Sequence, residues 1–89
     1  MKYAVFAIRD EVMESYRTPF LMENIEAAKR SLRVAVSRPE PLDLKDSPSD
    51  YSLWLVAHWS SDTAMYTPVV PPILVARVRD FVNGTEREV

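Results

Sequence analysis

Over residues 2–9, apolar side chains occupy both parities of an extended chain: Tyr3, Val5 and Ala7 on one side, Ala4, Phe6 and Ile8 on the other. A strand that is apolar on both sides has neighbours over both, so the pattern predicts a central strand. Residues 11–18 are polar and mixed and read as a connection containing one helical turn. Asn24 is an N-cap residue, and Ile25, Ala28, Leu32, Ala35 and Val36 fall on one helical stripe. The helix should end near Ser37, because Pro39 restricts Arg38 and cannot continue the hydrogen-bond ladder. Residues 39–50 keep no period and form a loop of three prolines, four acids and one lysine. Alternation returns at residue 51. Tyr51, Leu53, Leu55, Ala57 and Trp59 share one parity, and Ser52, Trp54, Val56, His58 and Ser60 share the other. A tryptophan and a valine on that second side mean that both faces are covered, or that one is a contact surface. A turn at residues 61–64 leads into a further strand. Pro71 or Pro72 then suits the first turn of a second helix, with Leu74, Val75, Val78, Phe81 and Val82 as its stripe and Asn83–Gly84 as its C-cap. A strand over residues 73–78 is the alternative reading.

The expected fold is α+β: a β-α-β-β-α domain over residues 1–84, with an antiparallel hairpin, one main helix packed on the sheet, and a frayed tail at 85–89. A sheet of three strands with two short helices cannot cover both faces, so self-association into a dimer or higher oligomer, through one face or a strand edge, is expected.

Composition removes more chemistry than it adds. At 47% hydrophobic and 27% charged, the chain has an ordinary globular balance, which argues against wholesale disorder. No cysteine is present, so disulfides, thiolate nucleophiles and thiolate metal sites are all excluded. The single glycine, Gly84, excludes glycine-rich phosphate loops. A net charge of −2 gives no global attraction to nucleic acid or to an acidic membrane, and no apolar run is long enough to span a bilayer.

The remaining candidates are few. His58 is the sole histidine, with Asp62 nearby across a turn, and one such pair does not define a catalytic site. No cluster has metal-ligand spacing, and Asp43, Asp46 and Asp50 lack the glycine and terminal glutamate of a calcium loop. The expectation is a protein that is not an enzyme and carries no metal or cofactor. Lys29, Arg30 and Arg33, with Arg38 beyond, place cations on the outer side of the first helix, where they could meet phosphates or form a solvated face. Tyr51, Trp54 and Trp59, with Tyr66, could stack on single-stranded bases or lie in a core or interface. The nucleic-acid reading gains strength if the basic helix and the aromatic strands share a surface.

Several segments taken together resemble a known family: the residues 2–10, Pro19–Phe20, Ala28–Lys29–Arg30, Pro39–Glu40, Lys45, Pro48, the run from Asp50 to Leu53, Trp59, Pro72–Ile73 and Asp80–Phe81–Val82. Their order and spacing resemble the small nonstructural protein of gokushoviruses, single-stranded-DNA phages of the Microviridae. Ala57 and Ala64 stand where that pattern has glycine, which bears on turn geometry. The resemblance implies a non-virion protein of the host bacterial cytoplasm that binds single-stranded DNA and assists genome replication or packaging. It carries over no catalytic residues. The alternative is an adaptor or assembly factor that acts on phage capsid or replication proteins without touching DNA.

Overall fold

A computed structural model describes residues 1–37 and 47–82. It is an α+β fold built on a five-stranded antiparallel sheet. Strand β1 (Lys2–Asp10) is central, as its two apolar parities predict, and pairs with β4 (Tyr51–Ser60) along its whole length. Its other edge is shared by two short strands, β2 (Ser15–Tyr16) and β3 (Phe20–Met22). The sequence reading took this stretch as a connection, and the structure corrects it. Asp10 Oδ1 accepts the Val12 and Met13 amides at 3.0 and 3.1 Å. That local turn folds the chain back so that Ser15 pairs with Asp10. Strands of two and three residues are too short to display a period.

Helix α1 (Ile25–Ser37) starts as expected: Asn24 Oδ1 accepts the Ala27 amide at 2.8 Å, the usual N-cap bond to the third helical residue. Ala28, Leu32 and Val36 of its stripe are buried, while Ile25 is 40% exposed. They pack on Ala4, Phe6 and Ile8 of β1 and on Leu53 and Leu55 of β4. Phe6 and Leu53 are fully buried at the centre. A single 3-10 turn (Pro48–Asp50) precedes β4, and the Asp50 carbonyl accepts the Glu11 amide at 2.8 Å.

The second helix is where the sequence reading departs most. Residues 71–77 belong to strand β5 (Tyr66–Arg77), and only Val78–Val82 form helix α2. The alternative reading of a strand over 73–78 is thus the nearer one. Val78 and Phe81 of the predicted stripe are buried in the core, and Val75 is packed against it from the strand. Among the described residues β5 is an edge strand pairing only with β4, and its ladder jumps from Leu55↔Ile73 to Ala57↔Pro68. Pro71 and Pro72, joined to Val70 by a cis Val70–Pro71 bond, fall inside that jump. Proline has no ladder donor to give, so an edge strand with an irregularity accommodates it.

An open aromatic sheet face as the candidate functional site

One residue decides which side chains meet on the sheet. Phe6 pairs with Leu55 and Val5 with Ala57, leaving Val56 as an extra residue in β4. Such a bulge shifts the alternation by one. Before it, Tyr51, Leu53 and Leu55 face the helix; after it, Ala57 and Trp59 face the opposite way, alongside Ser52 and Trp54. The single-parity reading of β4 is therefore corrected: Trp54 and Trp59, predicted on opposite sides, share one face.

Among the described residues no helix packs on that face. Its cross-strand rows follow the register: Tyr3, Trp59 and Tyr66; then Val5 and Ala57 with Leu21 and Pro68; then Ala7, Trp54 and Leu74; then Arg9 and Ser52 with Tyr16 and Arg77. In the first row the ring centroids of Tyr3 and Trp59 are 5.8 Å apart and those of Trp59 and Tyr66 are 6.4 Å apart. At the other end Trp54 meets Tyr16 edge-on at 6.3 Å, and the Arg9 guanidinium lies 5.3 Å from the Tyr16 ring centre. Small side chains separate the two aromatic groups. Val5 and Ala7 are each 3% exposed, shielded by the larger residues around them.

The basic end carries a polar network. Trp54 Nε1–H donates to Ser52 Oγ at 2.8 Å, and the Ser52 hydroxyl donates to a Glu11 carboxylate oxygen at 2.5 Å. Arg9 Nε donates to the other Glu11 oxygen at 3.0 Å. The Ser52 hydrogen bond, and after it the Arg9 bond, hold the Glu11 carboxyl below the ordinary glutamate value. The bond to Glu11 raises Arg9 above its already high value.

The other sequence candidates lie elsewhere. Tyr51 is 8% exposed in the helix-side core, with the Arg17 guanidinium 4.8 Å from its ring centre. It does not join Trp54 and Trp59, and of the two readings given for it the core one matches its place. Lys29, Arg30 and Arg33 sit on α1, across the sheet from the aromatic face, and the Arg33 guanidinium lies 5.2 Å from the Phe81 ring centre. The basic helix and the aromatic strands therefore do not share a surface. Arg38, Asp43 and Asp46, the Asn83–Gly84 cap and the 85–89 tail lie outside the described residues. His58 is exposed on the helix side, lining a shallow depression with Lys2, Asn24 and Glu26, while Asp62 is 3.4 Å from the terminal amino group. Among the described residues no three His, Asp or Glu side chains are grouped to hold a metal ion, and no helix is long and apolar enough to cross a membrane.

Sequence reasoning missed Arg9, Tyr16, Tyr3 and Arg77 as parts of this face. Their signal was available only through strand pairing, since they come from three strands and no local motif joins them. No curated protein and no solved structure matches the chain. The family model described as Phage ORF5 protein matches residues 3–81, which takes in the described strands from Tyr3 onward and the aromatic face they form. With nearly its whole length covered by that match, the chain belongs to the Phage ORF5 protein family.

Proposed function

We propose that this phage protein binds single-stranded DNA across the open face of its sheet. It would act in the cytoplasm of the host bacterium, in genome replication or packaging, as its resemblance to the gokushovirus nonstructural protein implies. The observation that carries the reading is the placement of Trp54 and Trp59 on one uncovered face with Tyr3, Tyr16 and Tyr66 beside them. Every base has a π-face, so such rings bind single strands without needing a sequence, at about 1–3 kcal/mol per stacked base. Duplex DNA, its bases already stacked, gains nothing from them. Arg9 and Arg77 supply cations at one end, and the cationic side of α1 is a separate surface. No catalytic role is proposed.

A second reading uses the same face for protein contact: a homodimer, or an adaptor to capsid or replication proteins. It is favoured by Leu21 and Leu74, 39% and 37% exposed on that face, and by the net charge of −2.

Fluorescence anisotropy of a labelled oligonucleotide at two salt concentrations separates the readings. Contact through Arg9 and Arg77 gives a slope of log affinity on log salt of about −1.4, whereas three cations on α1 would give about −2.1. Trp54→Ala and Trp59→Ala should each weaken binding by about tenfold or more, and the Lys29, Arg30 and Arg33 triple alanine variant should bind like wild type. Absence of binding below about 100 μM at low salt would remove the DNA reading. Dissociation of a dimer by Trp54→Glu, seen by sedimentation, would then support the second.

A further inference from the structure

At the basic end of the face, contacts close into a circuit. Trp54 donates to Ser52, Ser52 to Glu11, Arg9 donates to Glu11, the Arg9 guanidinium covers Tyr16, and Tyr16 meets Trp54 edge-on. Five side chains from β1, the following turn, β2 and β4 thereby fix one another. Ser52 is the hub: it is 1% exposed, and its hydroxyl accepts from one member and donates to the next. Across β4, Ser52 pairs with Arg9 on one side and Arg77 on the other, so the two guanidinium-bearing positions flank it. Arg77 is also close enough to help hold Glu11 ionised. An indole pinned by its own N–H, with two cations in the next row of the sheet, is what a base and its neighbouring phosphate require.

Resting on the single-stranded-DNA reading above, we propose that this circuit is a one-nucleotide station. Trp54 receives a base, Arg9 and Arg77 receive the adjacent phosphodiester, and Ser52 and Glu11 are positioning residues that fix the ring and the Arg9 fork. The Glu11 carboxylate opposes a phosphate electrostatically, and its contribution is to orient Arg9. A ring already fixed loses less freedom on binding than one that must be ordered by the ligand.

The test uses the full chain carrying Trp59→Phe, so that Trp54 is the sole indole, with an oligothymidylate as probe. Oligothymidylate should quench Trp54 fluorescence. Ser52→Ala should lower affinity about tenfold and reduce the quench at saturation, with the salt slope unchanged. Arg77→Ala should do the converse, making the slope shallower by about 0.7 while leaving the quench intact. Glu11→Gln, an isosteric change at an exposed position, carries the test if Ser52→Ala does not fold, and should also reduce affinity and quench. A merely structural role for Ser52 and Glu11 would lower thermal stability and leave the saturating quench at the parent value. Unchanged affinity and quench in both variants, with the parent binding normally, overturns the station alone. A parent that does not bind, confirmed in the chain that keeps Trp59, overturns the DNA reading and the station with it.

Discussion

Single residues set the chemistry of the open face more than its composition does. Glu11 is the most consequential, because its carboxyl is held below the ordinary value by Ser52 first and Arg9 second. A group whose folded value is depressed contributes stability above its unfolded value, and loses it as pH falls through the folded one. For Glu11 the loss therefore begins as pH drops below the ordinary glutamate value of 4.5. Thermal unfolding midpoints measured from neutral pH into the acid range should fall less steeply for Glu11→Gln than for wild type. Identical acid limbs would show that the carboxylate has no such linkage. Val56 acts on a different axis: without charge or polarity, it reverses the facing of the strand beyond it. No side-chain property of valine announces that role. A period-two reading is right up to Leu55 and inverted after it, which groups Tyr51 with Trp59 and separates Trp54 from Trp59.

Elements were readable in proportion to the local physics that forms them. Helix α1 has a cap, a stripe and a proline stop, all within one window, and its start at Ile25 follows Asn24 as expected. Strand β1 was readable because burial on both faces leaves no polar parity. β2 and β3 were not, since so few residues hold their place only by pairing with β1. Residues 71–77 misled because Leu74, Val75 and Val78 satisfy a helical stripe as well as a strand, and pairing with β4 decides between them. The β4–β5 turn was legible in one detail, an alanine where glycine was expected: Ala64 has φ 60°, in the left-handed region where a Cβ is disfavoured. Ala64→Gly should therefore stabilise the protein by about 0.5–1 kcal/mol, after the added freedom of the unfolded chain is subtracted. Chemical denaturation would reveal this as a higher midpoint with an unchanged slope.

At the scale of the molecule, helix and aromatic rings divide the sheet between them, one face sealed and the other open. What happens at the margins of such a sheet governs how the protein behaves at high concentration. A strand bordered by solvent is a template on which another copy can grow, and repeated growth ends in fibres. β5 is that border, and Pro68, Pro71 and Pro72 remove three amide donors from it and break its line. The opposite border is divided between β2 and β3, with Pro19 between them. Neither margin offers a long uninterrupted row of hydrogen-bonding groups, so whatever assembly the open face permits should be closed and finite. Replacing Pro68, Pro71 and Pro72 by threonine should give thioflavin-positive fibres at a concentration at which the wild type is expected to stay clear. A triple variant as clear as wild type at the same concentration would show that the prolines guard nothing. If the fibres form, the irregularity in β5 is what leaves one copy of the sheet no continuous ladder on which the next can grow.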